Sequence, residues 1–305
     1  MKVSVVICSY SEELYEHLVE AVESILSQTY DDVEVVVVVD GNDELYSLIS
    51  SDYADIDEVC LVLNEENLGL SASRNVGVKH STGDVVAFMD DDAIADEQWV
   101  EELVLTYEEH GVEAAGGQMT PIWVAGKPSF LPEEFYWLIG VTHRGFPDEG
   151  EVRNTFGSNI SFRRDVLENL DGFDEELGRK GDRHVQGEET ELAARMRTKL
   201  GGTLYYNPDA KVGHKVFEYR TRLVWLLKRA FWQGYSKRAM EKLVSDGSIG
   251  EESKYLSMLL FDATPRHLRF FVTRPSFSVL GKFVMLYLLT ACVGFGYLYA
   301  LATYR

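Results

Sequence analysis

The 305-residue sequence predicts an α/β domain on a mainly parallel central sheet, followed by one membrane-crossing helix. Three observations carry this. Short β-rich apolar runs alternate with stretches of helical spacing from residue 3 to residue 89, the pattern of strands joined by helical crossovers. The last of these runs leads directly into Asp90-Asp91-Asp92. Phe283 to Tyr304 holds no charged residue, and about 20 apolar residues suffice to cross a bilayer core.

The elements follow in order. Residues 3–8 are apolar with little alternation, as suits a strand buried on both faces. Residues 12–28 place Leu14, Leu18, Ala21/Val22 and Ile25/Leu26 at helical spacing, with acids opposite. Residues 33–39 are valines around Glu34 and close on Asp40, a second buried strand. Leu61-Val62-Leu63 is a short third strand, Ser71 to Lys79 a helix, and Val85 to Met89 a fourth strand. Ligands of such sheets sit at the carboxyl ends of the strands. Asp40 and Asp90–Asp92 both lie at predicted carboxyl ends, so they can converge across the intervening chain. After residue 116 the pattern changes, and between 121 and 160 Trp, Phe, Tyr, Pro and Gly become frequent, the composition of a substrate-facing insertion.

Net charge is −21, unevenly spread: residues 1–152 carry 33 Asp/Glu against 5 Lys/Arg, and residues 153–305 carry 17 against 24. Most of the acidic pairs are solvated faces. A dense acidic surface on a folded chain points to a high-salt environment that screens its self-repulsion, and it argues against nucleic acid as a partner. Cys8, Cys60 and Cys292 are odd in number and far apart, so they read as small hydrophobes in a reducing compartment. The N-terminus reads as a strand, with no charged leader before an apolar run.

Three carboxylates at the end of a buried strand repel one another unless a cation or solvent offsets them. A hard divalent ion, Mg²⁺ or Mn²⁺, does so and leaves positions for substrate phosphates. The alternative is an acidic loop leading into the next helix through Asp96 and Glu97.

Further pieces decide between these readings. They are Val3-Ser-Val-Val-Ile-Cys-Ser-Tyr10, Glu23-Ser-Ile-Leu-Ser-Gln-Thr-Tyr30, Glu34-Val-Val-Val-Val-Val-Asp-Gly41, Asn67-Leu-Gly-Leu-Ser-Ala-Ser-Arg-Asn-Val-Gly77 and Gly83-Asp-Val-Val-Ala-Phe-Met-Asp-Asp-Asp92. In this order they resemble family 2 glycosyltransferases of the GT-A fold, whose central sheet is Rossmann-like. Gly157-Ser-Asn-Ile-Ser-Phe-Arg163, Gly172-Phe-Asp-Glu175, Gly187-Glu-Glu-Thr-Glu-Leu192 and His214 extend the resemblance to about residue 240. The resemblance implies that Ser9 and Tyr10 line the nucleobase pocket and that Asp40 bonds base or ribose. It implies that Arg74 helps hold the nucleotide, that Asp90 and Asp91 contact the nucleotide sugar, and that Asp92 with His214 ligates the metal. It further implies an inverting displacement in which a carboxylate takes the proton of the acceptor hydroxyl. The family motif for that base is usually Glu-Asp. Here it is Glu188-Glu189; Glu189 stands at the Asp position and Glu188 is its rival, while either could instead serve as a helix-start charge.

The implied organisation is a glycosyltransferase domain over 1–240, divided into a nucleotide-sugar half (1–115) and an acceptor half (116–240). An interfacial linker (241–276) and a membrane helix (277–305) follow. Lys211–Arg238 interleaves basic and aromatic residues, which suits an amphipathic helix on an anionic membrane surface, and Tyr255 to Phe261 is a second apolar piece for the same interface. Arg266, Arg269, Arg274 and Lys282 precede the uncharged stretch Phe283–Tyr304 and only Arg305 follows, which places the catalytic domain in the cytoplasm. Resemblance, anchor and acidic surface together imply a haloarchaeal enzyme of surface-layer protein glycosylation. Its donor would be a UDP- or GDP-linked sugar and its acceptor a dolichyl-phosphate-linked glycan. A hexuronic acid donor is compatible with Arg144, Arg153, Arg163 and Arg164. A cell-envelope polysaccharide enzyme and an inactive nucleotide-sugar-binding scaffold are the competing readings. A nucleotidyltransferase would need a Gly-rich loop and a Lys after the first strand, and residues 8–14 offer neither.

Overall fold

The computed structural model describes residues 1–177, 187–243 and 249–303. The chain forms two compact units: Met1–Thr120 with Pro147–His214, and Pro121–Phe146 with Lys215–Arg305.

The first unit carries the sheet. In chain order its elements are β1 (Val3–Ser9), α1 (Tyr15–Leu26), β2 (Val33–Asp40), α2 (Asp43–Tyr53), β3 (Val59–Asn64), α3 (Leu70–His80), β4 (Val85–Asp90), β5 (Ala93–Ala95), α4 (Trp99–His110), β6 (Ala114–Trp123), β7 (Gly150–Glu151), β8 (Ile160–Arg163), α5 (Arg164–Asn169), α6 (Glu188–Leu200) and β9 (Leu204–Val216). Strand order is β3-β2-β1-β4-β8-β6-β9-β5, with β7 beside β9. The four strands expected from sequence are parallel neighbours. Beyond β4 the strands reverse: β8 is antiparallel to β4 and β6, and β9 is antiparallel to β5 and β7, so the whole sheet is mixed. Of these strands, β7, the end of β6 and the start of β8 fall within residues 121–160, the segment read from sequence as an insertion.

The valine runs are explained by burial on both faces. Val5 and Ile7 of β1 lie in one core with Leu18, Ala21 and Val22 of α1 and Trp99 and Leu103 of α4. Val6, between them, lies in a second core with Phe88, Phe162 and Leu192. This period of two is the pleat of a strand. Of the residues expected on this core face, Leu18, Ala21, Val22 and Ile25 are buried, while Leu14 and Leu26 are only partly so; the helix proper begins at Tyr15, after a 3₁₀ turn over Glu12–Leu14. The structure adds α2, whose start is capped by Asn42, its side chain accepting from Leu45 N at 2.9 Å.

The second unit is helical. A 3₁₀ helix (Glu133–Ile139) is followed by α7 (Glu218–Thr221), α8 (Leu223–Leu243), α9 (Ile249–Met258), a π-helical turn (Leu259–Ala263), α10 (Thr264–Thr273) and α11 (Phe277–Thr303). Its core joins Leu131, Phe135 and Leu138 to Leu226 and Ala230 of α8 and Leu286 and Leu289 of α11. Two glycines let α8 and α11 touch backbone to backbone: a Cβ at Gly296 would stand 1.8 Å from Phe231 O, and one at Gly234 would stand 2.0 Å from Val293 O. Small residues at such crossings are how helices pack closely in membranes. Phe231 and Tyr235, read from sequence as part of a surface helix, instead pack their rings against Tyr299 of α11.

Helix α11 is the membrane-spanning helix. Its 27 residues extend about 40 Å at the α-helical rise. Only 28% of its most apolar window is covered by protein, which separates it from the core helix of a soluble domain. Val284, Leu288, Phe295 and Leu298 are exposed on it. The flanking Tyr304 and Arg305, and residues 244–248 of the expected linker, lie outside the described residues.

Candidate active site

The carboxyl ends of β2, β1 and β4 lie side by side. Register pairs Ser9 with Val39 and Cys8 with Asp90, so Asp40 and Asp90 end neighbouring rows as the strand pattern requires. All ten residues singled out from sequence belong to the first unit.

The acidic run divides in two. Asp90, Asp92 and His214 offer ligand atoms that all lie within 4.8 Å of one another. Asp91 turns the other way and accepts from Ser9 Oγ at 2.5 Å. Alternate residues of an extended chain share a face, which is why Asp90 rather than Asp91 joins Asp92. His214 sits within β9. There it pairs with Ala93 of β5, and this short ladder brings its Nε2 to 3.3 Å from Asp92 Oδ1. Asp92 and His214 are both buried. Two carboxylates and an imidazole converging at a strand end form a fitting donor set for Mg²⁺ or Mn²⁺.

Asp40 organises the loop after β3. Its Oδ1 accepts from Asn64 Nδ2 and Leu68 N, and its Oδ2 from Gly69 N, each at 2.9 Å. Tyr10, one residue past β1, is 63% exposed and free to meet a planar ligand. Arg74, expected at the nucleotide, is buried among acids. Its Nη1 stands 3.3 Å from Glu188 Oε1, its Nη2 stands 3.3 Å from Asp90 Oδ1, and it donates to Gly157 O at 3.0 Å. The Phe88 and Phe173 rings flank it at 5.8 and 5.4 Å. Arg74 thus bridges the metal-type cluster and the Glu-Glu motif.

Glu188 and Glu189 open α6. Glu188 is engaged by Arg74 and by Gly187 N. Burial, and then the charge of Glu188, hold the Glu189 carboxyl above the usual carboxylate range. A divalent cation nearby would favour its ionised form. Cys8 is no competing nucleophile, because burial pushes its thiol up to about 12. None of Cys8, Cys60 and Cys292 is disulfide-bonded.

Two groups of the site carried no assigned role in the sequence reading. Ser158 Oγ accepts from Asp90 N at 2.9 Å and fixes the end of β4. Asn159, fully buried, accepts from Trp99 Nε1 and donates to Gln118 O and Ala210 O. Both lie in the Gly157-Ser-Asn motif, which is the signal that could have found them. Arg163 and Arg164 serve elsewhere. Arg163 pairs with Val85 at the opposite end of β4 from Asp90, and the two arginines donate to Val112 O and Gly83 O.

A family model described as Glycosyl transferase family 2 matches residues 4–171. The chain is 49% identical over 305 residues to the glucosyl-dolichyl phosphate glucuronosyltransferase of Haloferax volcanii, covering 99% of this chain and 97% of that protein. Its fold is shared with the mannosyltransferase PcManGT of Pyrobaculum calidifontis, solved with GDP-Man and Mn²⁺ (TM-score 0.58, 18% identity, 97% of this chain and 87% of that one). It is shared also with S. aureus TarS in complex with UDP-GlcNAc (TM-score 0.55, 17% identity, 100% and 92%). With more than half its length inside the family model and near end-to-end likeness to a transferase, the chain belongs to glycosyl transferase family 2 and is an inverting glycosyltransferase of GT-A-like fold.

Proposed function

We propose that the chain transfers a glucuronic acid residue from a nucleotide-linked donor to a sugar carried on dolichyl phosphate, at the cytoplasmic face of the membrane. The observation that carries the catalytic part is the convergence of Asp90, Asp92 and His214, joined through Arg74 to Glu188 at the head of the Glu188-Glu189 motif. The sugar and the acceptor rest on likeness to the Haloferax volcanii protein. The cytoplasmic orientation rests on Arg266, Arg269 and Arg274 ahead of α11 and on Lys282 near its start.

Asp90, Asp92 and His214 would hold a divalent ion, which supplies positive charge for the departing nucleoside diphosphate. Glu189 takes the proton of the acceptor hydroxyl as its oxygen bonds to the anomeric carbon and the bond from that carbon to the diphosphate oxygen breaks. Glu188 is held by Arg74 and keeps the motif in place. Ser9, Tyr10 and Asp91 receive the nucleoside, with Asp40 shaping the loop beside it. The cation that reads the uronate carboxylate is not Arg163 or Arg164, which serve the far end of β4.

The test uses the full chain in detergent with Mn²⁺, glucosyl-phosphodolichol as acceptor, and UDP-glucuronate or GDP-mannose as donor. The expected product gains one hexuronic acid by mass spectrometry. Transfer from GDP-mannose in its place would overturn the sugar assignment. Transfer to free glucose but not to the lipid-linked sugar would overturn the acceptor.

A further inference from the structure

The second unit exposes more apolar surface than α11 alone accounts for. Along the π-helical turn and α10, positions divide among three faces. Leu259, Ala263 and His267 are buried against the unit. Asp262, Arg266 and Arg269 form a charged face, with Arg266 Nη1 2.8 Å from Asp262. The third face carries Leu260, Phe261, Leu268, Phe271 and Val272, all exposed; Phe261 is 80% and Val272 74% accessible. The spacing of 261, 265, 268 and 272 is one helical stripe. An apolar stripe of this length left open on a soluble surface marks an interaction site.

Three observations name the occupant. The stripe continues into the membrane helix: Phe277, the first residue of α11, is 95% exposed, and Thr264 Oγ1 lies 2.9 Å from Tyr287 Oη of α11. The charge fits as well. The first unit carries 42 Asp/Glu against 13 Lys/Arg, whereas the second carries 8 against 16. Arg269 and Arg274, both exposed, stand beside the stripe, where lipid phosphates would meet them. The helix is also held rigidly from behind. Glu134 is buried and receives Arg266 Nη2 at 2.5 Å and His267 Nε2 at 3.2 Å, which fixes which face turns outward.

We propose that Leu260–Val272 is a second lipid-contacting element, lying in the headgroup layer of an anionic bilayer beside the spanning helix. Leu260, Phe261, Leu268, Phe271 and Val272 enter the acyl chains, and Arg269 and Arg274 meet the phosphates. Interfacial helices of this kind sink about 5–10 Å into the headgroup–acyl boundary. The inference is independent of the sugar chemistry.

The wild-type chain in phosphatidylglycerol vesicles doped with a diazirine-bearing acyl lipid tests it. Photolysis and peptide mass spectrometry are expected to find adducts on Phe261, Leu268, Phe271 or Val272 as well as on α11. Adducts confined to residues 277–303 would overturn the proposal, and so would cross-links from this stripe to a second copy of the chain. A Phe261→Asp, Val272→Asp variant gives a second reading. It is expected to lose the α10 adducts and keep those on α11; α10 labelling that persists undiminished would equally overturn the assignment.

Discussion

Arg74 Nη1 and Glu188 Oε1 lie 3.3 Å apart in a place where both side chains are nearly closed to solvent, and the same guanidinium reaches Asp90 at the same distance. One buried cation therefore serves two acids, one at the head of the Glu188-Glu189 motif and one in the metal-type cluster. An arginine suits this role because its planar fork presents several donors at fixed angles.

Removing that cation leaves Glu188 and Asp90 uncompensated. Breaking a buried pair by deleting one partner costs about 3–5 kcal/mol. Arg74→Met is expected to lower the urea-unfolding free energy by that order, whereas Arg74→Lys retains the charge and is expected to lose less stability while still impairing transfer. Equal unfolding midpoints for Arg74→Met and wild type would show that the bridge carries no weight.

The two glutamates separate by experiment. Glu189→Gln keeps size and hydrogen bonding but cannot accept a proton. It is expected to bind nucleotide sugar normally by calorimetry and to transfer at least about 100-fold more slowly, the usual contribution of a general base. Glu188→Gln is expected to act mainly through Arg74, with a larger fall in stability than in turnover per folded molecule. Reversal of the two phenotypes would make Glu188 the base.

Much of this site was legible in the sequence, and the exceptions have physical reasons. The valine runs of β1 and β2 are readable because strands buried on both faces leave no alternation, and their carboxyl ends then place Asp40 and Asp90. The division of the acidic run was not readable, because it depends on which way alternate residues of an extended chain point beyond β4. Nor does spacing reveal that β5 and β9 pair, since a ladder between distant segments has no local signature. The acids around the Arg74 guanidinium were not readable either, because a motif shows where a residue stands, not which neighbours surround its side chain. The basic-aromatic pattern of α8 hid its pairing with α11, which depends on Gly234 and Gly296 meeting backbone to backbone.

Metal binding distinguishes the cluster from a mere acidic turn. Asp92→Ala and His214→Ala are each expected to weaken Mn²⁺ binding to the full chain by about 10–100-fold in calorimetry, a loss comparable to disturbing a metal site's supporting shell or larger. Asp91→Ala is expected to disturb Ser9 and nucleotide affinity more than metal affinity. Unchanged Mn²⁺ affinity in both Asp92→Ala and His214→Ala would remove the ion from this cluster.

The second unit offers a pH test of its own. Burial alone would raise the Glu134 carboxyl, but hydrogen bonds from His267 and Arg266 outweigh it and hold the group near about 2, against an ordinary 4.5. A carboxyl depressed in the folded state contributes stability that is fully present above its unfolded value and is lost as pH falls through the folded one. The difference amounts to about 3 kcal/mol at neutral pH, at 1.36 kcal/mol per pKa unit. Glu134→Gln in detergent micelles is therefore expected to be less stable than wild type at pH 6 by that order, with the gap closing between about pH 4.5 and 2. A gap that stays constant across that window would mean that Glu134 stabilises the unit by packing, and that the charge on its carboxylate is incidental.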